Sequence, residues 1–144
     1  TLNQDDVDNA HDGMDMALVC IDSNQQKIIF AGANNPLYYV SNDEIIEVKA
    51  TRRGVGGEID KIFVNHTLSL KDVSAFYLFS DGFQDQFGGF DDKKYMKKRF
   101  RNFLHEISIE PFQTQKALIQ EELETWKGNN IQTDDIVVIG VKPL

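Results

Sequence analysis

The chain has 144 residues, of which 41% are hydrophobic and 26% are charged. These proportions are typical of an ordinary soluble protein, and they predict one domain with one sizeable core. The formal net charge of −8 argues against sequence-independent binding to nucleic acid, which needs a positively charged surface.

No stretch approaches the roughly 20 apolar residues that a membrane-spanning helix needs, and no basic-then-apolar leader opens the sequence. We therefore expect a cytoplasmic location, with no membrane contact by this segment. The single cysteine, Cys20, lies inside an apolar run. It is predicted to be a small buried residue in a reducing compartment.

The first part of the sequence predicts a series of short antiparallel strands. Residues 14–21 form a compact apolar run, and a polar turn at 23–26 separates it from the run at 27–31. This is the pattern of a hairpin. Two further short runs follow at 37–40 and 45–49, which indicates an antiparallel meander.

A Gly-rich loop follows at residues 52–57, and apolar residues then alternate with polar ones from Ile62 to Leu70. We interpret the loop as a solvated hairpin loop; the alternative is a phosphate cradle of backbone amides and guanidinium groups. His66 is interpreted as a core or edge histidine of the alternating strand. The run at 74–80 is apolar on both faces, which predicts a central strand covered on both sides.

The rest of the chain changes to a helical period. A first apolar stripe predicts one helix, with lysines and arginines on its solvated face, and comprises Tyr95, Met96, Phe100, Phe103, Leu104 and Ile107. A second stripe begins after Pro111 and runs to Trp126, and Gly128 is a plausible end for that helix. Residues 136–141 are rich in β-branched side chains and predict a last buried strand.

Carboxylates lie where two of the predicted strands meet loops. Asp81 ends the central strand, beside a Gly82 that permits a sharp turn, and Asp134 and Asp135 open the terminal strand. If these strands are antiparallel neighbours, the three acids meet at one edge of the sheet. Converging carboxylates favour a bridging cation, and Mg²⁺ and Mn²⁺ prefer oxygen ligands. Taken singly, Asp81 is better explained as a turn residue, and Asp134 as a solvated acid at a strand start.

Four segments together resemble a known family, in their order, spacing and flanking strands. They are DGMDMAL at 12–18, FAGANNPLY at 30–38, LFSDGFQDQFGG at 78–89 and QTDDI at 132–136. Over nearly the whole chain they resemble the SpoIIE branch of the PPM (type 2C) phosphatases. The resemblance implies an α+β fold: an antiparallel β-sandwich flanked by helices in an αββα arrangement.

The resemblance also implies two Mg²⁺ or Mn²⁺ ions. It assigns metal ligation and catalysis to Asp81 and Asp134, with Asp135 as the less favoured alternative to Asp134. The family's first acidic motif comes before the segment that matches 12–18, and no residue precedes Thr1 to hold it. We interpret Asp12 as a structural turn, and residues 1–144 as a partial SpoIIE-like domain that lacks its N-terminal part. Weak or absent metal binding is expected of this fragment.

The function implied for the intact protein is that of a metal-dependent serine/threonine protein phosphatase that uses a metal-activated water. The resemblance implies a regulatory output domain joined to an upstream sensory domain. Its substrate would be a phosphorylated signalling protein such as an anti-sigma-factor antagonist, and we expect this fragment to be inactive. Two alternatives stay open: a catalytically silent module that binds partners through the phosphatase fold, and a small-molecule sensor domain.

Overall fold

The structure is a computed structural model that describes residues 13–56 and 62–143; Asp12 and Gly57 lie outside these ranges. The strands in the described residues are β1 (Met16–Asp22), β2 (Lys27–Ala33), β3 (Leu37–Ser41), β4 (Glu44–Val48), β5 (His66–Ser69), β6 (Ala75–Phe79), β7 (Phe87–Gly88), β8 (Lys93–Lys94) and β9 (Val138–Val141). The helices are α1 (Gly82–Asp85), α2 (Lys97–Ile107) and α3 (Phe112–Lys127), and a single 3-10 turn spans Leu70–Asp72.

The first sheet has the strand order β1-β2-β5 and is antiparallel throughout. The predicted hairpin is confirmed, since β1 pairs with β2 along its whole length and the Gln25 N–H donates to Asp22 Oδ1 at 2.9 Å in the turn. The alternating strand predicted from Ile62 begins only at His66. The Ile62 side chain is 88% exposed, so the apolar–polar alternation at this position does not reflect burial of one strand face.

The second sheet has the strand order β4-β3-β6-β9 and is also antiparallel. The central position predicted for residues 74–80 is confirmed, because β6 lies between β3 and β9. Side chains of β6 alternate between two buried clusters, with Tyr77 and Phe79 on one face and Phe76 and Leu78 on the other. Both faces are covered, which explains why this run has no polar alternation.

Three layers result from this arrangement. One cluster fills the space between the sheets and is centred on Ile28, Phe30, Leu37 and Phe76. A second cluster lies between the second sheet and the helices, with β3 and β6 facing α1 and α2. The fold is therefore α+β with two antiparallel sheets and flanking helices, as predicted; within the described residues the helices pack on the second sheet.

The two consecutive helices predicted from the helical period are α2 and α3. The buried residues of α2 are Phe100, Leu104 and Ile107, all from the predicted stripe. A buried glutamine of α3, Gln115, accepts a hydrogen bond from the Tyr77 hydroxyl at 2.9 Å and donates to the Glu110 carbonyl at 2.8 Å. Gln115 therefore ties α3 to β6 and to the turn that follows α2.

Two burial predictions were wrong. Cys20 is exposed, because β1 is an edge strand and its outer face is uncovered in the described residues. The terminal strand β9 is not fully buried either: Ile139 is 49% exposed, since β9 also lies at a sheet edge. None of the helices in residues 13–56 and 62–143 combines the length and apolar character needed to cross a membrane.

Candidate functional site

Three hydrogen bonds of Ser80 join the end of β6 to the segment before β9. The Ser80 N–H donates to the Val137 carbonyl at 3.0 Å, and the Val137 N–H donates to Ser80 Oγ at 3.0 Å. The Ser80 hydroxyl donates to the Asp135 carbonyl at 2.7 Å. Ser80 therefore holds the backbone of Asp135 beside the end of β6, where Asp81 follows.

The contact at Gly82 is close enough to require glycine. A Cβ built on Gly82 would lie 2.4 Å from the Asp135 carbonyl oxygen, a distance at which the backbone must move. Asp81, one residue earlier, is exposed and stands at the N-terminal boundary of α1 in a helical conformation. The Ser-Asp-Gly sequence thus presents Asp81 to solvent while its two neighbours contact the other acidic segment.

The second acidic segment is organised by its own hydrogen bonds. Asp134 and Asp135 are both exposed, and the Asp135 N–H donates to Asp134 Oδ1 at 2.7 Å. The Gln132 side chain donates to the Asp134 carbonyl at 2.8 Å. These short-range bonds restrict the backbone around Asp134 before any ligand is bound.

A buried glutamine, Gln86, anchors the same loop, and the sequence patterns did not single it out. Its side chain is fully buried and donates to the Ile131 carbonyl at 3.0 Å, while its Oε1 accepts from the Thr133 N–H at 3.4 Å. The Gln86 carbonyl accepts from the Trp126 indole N–H at 2.9 Å. In the sequence, Gln86 is only one of several polar residues after Asp81-Gly82. Its binding partners are visible only in the folded loop, so the sequence alone offers little indication of its role.

The turn between β2 and β3 lies at this same end of the fold. The register of β3 with β6 pairs Tyr38 with Tyr77, and its continuation places Pro36 opposite Phe79. In the preceding turn, Asn34 Nδ2 donates to Asp15 Oδ1 at 2.7 Å. Asp15 and Asn34 are therefore further polar residues at the end of the fold that carries Asp81.

The strand arrangement behind the predicted site is confirmed. β6 and β9 are antiparallel neighbours, with Phe79 paired to Val138, so Asp81 and Asp134 follow and precede strand ends at the same sheet edge. The described residues contain no group of three or more histidine, cysteine, aspartate or glutamate side chains placed to hold one metal ion. The ligand roles of Asp81, Asp134 and Asp135 stay predictions.

A family model described as Stage II sporulation protein E (SpoIIE) matches residues 2–143. The chain belongs to the SpoIIE family. The match covers all the segments that carry Asp81, Asp134 and Asp135, so the family assignment and the strand geometry rest on the same residues. No curated protein matches the chain.

Solved structures support the same assignment. The chain is similar to the SiaA-PP2C domain of Pseudomonas aeruginosa, with a TM-score of 0.82 and 31% identity over 89% of this chain and 51% of that one. It also has the fold of the phosphatase domain of the cell fate determinant SpoIIE from Bacillus subtilis (Mn presoaked), with a TM-score of 0.63, 17% identity, and 89% and 56% coverage. The SpoIIE-family chain therefore has a PP2C-type phosphatase fold and spans about half the length of these solved chains.

The donor set of this SpoIIE-family chain fits Mg²⁺ or Mn²⁺ in type. All its candidate ligands are exposed carboxylates, the donors that these hard cations prefer. The number of donors is smaller than a two-ion site needs, because each ion takes about six oxygens and Asp81 and Asp134 come singly from two strand ends. The candidate ligands among the described residues are therefore fewer than a two-ion site needs.

Proposed function

We propose that the protein containing this chain is a metal-dependent serine/threonine protein phosphatase that hydrolyses phosphoserine or phosphothreonine on a signalling protein. The observation that carries the proposal is the pairing of β6 with β9. This pairing sets Asp81 and Asp134 at one sheet edge of a SpoIIE-family chain.

In this proposal Asp81 and Asp134 hold the ions, and Asp135 is the alternative ligand from the second acidic segment. Bound Mg²⁺ or Mn²⁺ supplies Lewis acidity towards the phosphoryl oxygens and lowers the pKa of a coordinated water. The residues around the acids position them: Ser80 fixes the Asp135 backbone, and Gly82 allows the two segments to touch. Gln86 keeps the loop that carries Asp134 in place through its bonds to Ile131 and Thr133.

The proposal extends to regulation. We propose an output domain joined to an upstream sensory domain, acting in the cytoplasm on a phosphorylated protein such as an anti-sigma-factor antagonist. The 144-residue chain is proposed to have little activity by itself, because the acids that its described residues bring together are too few for two ions. The competing proposal is a catalytically silent module that only binds its partners. The small-molecule sensor alternative loses its support, since the chain belongs to the SpoIIE family.

The test compares two proteins: the 144-residue chain and a form extended at its N-terminus to the length of the solved relatives, called the extended form below. Each is assayed for hydrolysis of a phosphoserine peptide with Mn²⁺. We expect turnover by the extended form, its loss in EDTA, and little turnover by the 144-residue chain.

Substitutions in the extended form test the residues. Asp81→Asn and Asp134→Asn keep side-chain size and remove the negative charge, so each should lower kcat by more than about 100-fold, beyond the effect of losing an outer-shell partner. Asp72→Asn is the matched control, because this exposed aspartate lies in the 3-10 turn before β6, away from the end that carries Asp81. Full activity of the Asp81→Asn variant would contradict the proposal, because Asp81 is the main metal ligand that it assigns. Inactivity of the unsubstituted extended form would favour the silent module.

A further inference from the structure

A groove at the end of the fold that also carries the strand-end acids gathers positive charge in a chain whose net charge is −8. The groove has a volume of about 460 Å³ and includes Lys49, Arg52 and Lys97, with Glu47 as its carboxylate and Asn34 and Pro36 on its wall. The groove lining therefore has three positively charged side chains and one negatively charged side chain. We call this surface the basic groove.

The three cations come from two parts of the fold that other contacts hold in place. The Asn34 N–H donates to the Thr51 carbonyl at 2.9 Å and the Thr51 N–H donates to the Gly32 carbonyl at 2.9 Å, which fixes the Arg52 loop against the turn after β2. Lys97 is the first residue of α2, and α2 packs on β4, the strand that leads to Lys49. The groove is thus built where the β4 end meets the helix start.

The side chains of Lys49, Arg52 and Lys97 are exposed. The ion pairs within residues 13–56 and 62–143 use other cations, namely Lys93, Lys94, Arg99 and Lys127. The groove cations therefore have no carboxylate partner in the described part of the chain, and their charge is available to an incoming anion.

The basic groove and the acids share one end of the fold. Asn34, on the groove wall, is hydrogen bonded to Asp15, and Pro36 lies opposite Phe79, two residues before Asp81, when the β3–β6 register is continued. A peptide whose phosphoresidue reaches Asp81 would place its neighbouring residues along this wall. Carboxylates in those neighbouring residues would meet the three cations.

We propose that the basic groove binds acidic residues that flank the phosphoserine or phosphothreonine of the substrate protein, so that the enzyme prefers an acidic sequence context. This inference rests on the proposed function. The local charge of the groove steers such a segment towards the acids, although the chain as a whole repels anions. The solvated-loop interpretation of residues 52–57 then applies to only part of that loop, since Arg52 has a binding role.

The experiment measures kcat/KM of the extended form for two phosphoserine peptides that differ only in acidic or neutral residues next to the phosphoserine. We expect the unsubstituted protein to prefer the acidic peptide. Each of Lys49→Glu, Arg52→Glu and Lys97→Glu should lower this preference about 3- to 10-fold, and added salt should lower it too. Lys71→Glu and Lys116→Glu are matched controls outside the groove and should keep the preference.

An unchanged preference in the triple variant Lys49→Glu, Arg52→Glu, Lys97→Glu would overturn the proposal. An equal loss for both peptides would also overturn it, because the groove would then act on the phosphoryl group itself.

Binding of the same two peptides to Asp81→Asn protein, measured by fluorescence anisotropy without metal, separates this inference from the phosphatase proposal. If the unsubstituted extended form with Mn²⁺ hydrolyses neither peptide, but the acidic peptide binds more tightly and the triple variant removes that difference, the groove proposal holds and the phosphatase proposal fails. If binding shows no such difference, the groove proposal fails whatever the activity.

Discussion

The two sheets differ in how their outer faces are covered, although their strands have similar apolar sequences. The outer face of the second sheet packs on the helices, and the cluster there includes Phe79, Phe83 and Phe100. The outer face of the first sheet leaves Met16 39% exposed and Leu18 59% exposed in the described residues. An apolar run therefore predicts a strand in both places, and only the neighbouring layers decide how much that strand contributes to stability.

The largest expected effect tests this difference directly. Phe100 is fully buried, and its ring centroid lies 4.8 Å from that of Phe83 and 5.1 Å from that of Phe79. Phe100→Ala should lower the free energy of unfolding by about 3–5 kcal/mol, because it removes a large side chain and leaves a cavity. Leu18→Ala should cost less than about 1 kcal/mol, since the side chain is already largely in water. Urea unfolding of the 144-residue chain measures both.

Equal costs for Phe100→Ala and Leu18→Ala would contradict the comparison. Measuring the cost of Leu18→Ala in the extended form as well tests whether residues outside the 144-residue chain cover the outer face of the first sheet. A cost that rises there to about 2 kcal/mol or more would show that the added residues cover the outer face of β1.

The sequence predicted the elements whose signal is local. The apolar run at 74–80 indicated a central strand because both of its faces are buried, and the position of Asp134 before a β-branched run indicated the edge that it shares with Asp81. What the sequence missed depends on distant contacts. Cys20 sits in an apolar run that reads as buried, yet no described layer covers it. The anchoring role of Gln86 exists through hydrogen bonds to Ile131 and Thr133, more than 40 residues later, and the short β7 lies against Trp126.

The second prediction concerns the glycine that lets β6 and the segment before β9 approach each other. Gly82→Ala places a Cβ about 2.4 Å from the Asp135 carbonyl, so the backbone must shift. We expect a loss of about 1–3 kcal/mol of stability, as for other overpacked sites, together with loss of phosphatase activity in the extended form. Gly13→Ala, just before β1, is the control because its Cβ would meet its nearest neighbour at 3.7 Å, an ordinary contact. A Gly82→Ala protein as stable and active as the Gly13→Ala protein would refute the close approach.

The third prediction is a difference in alkaline sensitivity between the two buried clusters. The cluster on the helix side holds the buried phenols of Tyr38, Tyr77 and Tyr95, whereas the buried residues of the cluster between the sheets include no tyrosine. Burial, together with the nearby Glu47 carboxylate, raises the pKa of Tyr38 to about 12, while Arg101 opposes the shift. Burial also raises the pKa of Tyr77 and of Tyr95.

Because the folded pKa of Tyr38 lies above the unfolded value of about 10, the folded state keeps this proton more tightly. The stability linked to it is complete below about pH 10 and is lost as the pH rises towards about 12. Tyr38→Phe should therefore unfold with a shallower dependence on pH across this window, as measured by urea unfolding at several alkaline pH values. If the pH dependence of stability is unchanged in Tyr38→Phe, groups other than Tyr38 cause the loss of stability at alkaline pH.

The smallest expected effect concerns strain at the start of α2, on the helix-covered side. Met96 has φ 76° and ψ 144°, a conformation that is favourable essentially only for glycine, and its side chain is 60% exposed. Its backbone is held there by two hydrogen bonds: its N–H donates to the Gln84 carbonyl at 2.8 Å, and its carbonyl accepts from the Phe100 N–H at 3.1 Å. The contacts of α1 and α2 therefore impose the strain.

Met96→Gly should relieve strain of about 1–3 kcal/mol, and the greater freedom of glycine in the unfolded chain offsets about 0.5–1 kcal/mol of that gain. We expect a net stabilisation of about 1 kcal/mol, measured as a higher midpoint of urea unfolding. Met96→Ala is the matched control, since it removes the same exposed side chain but keeps the Cβ that is strained at this φ. If alanine stabilises as much as glycine, the gain comes from removing the exposed methionine, and the backbone at residue 96 is not under strain.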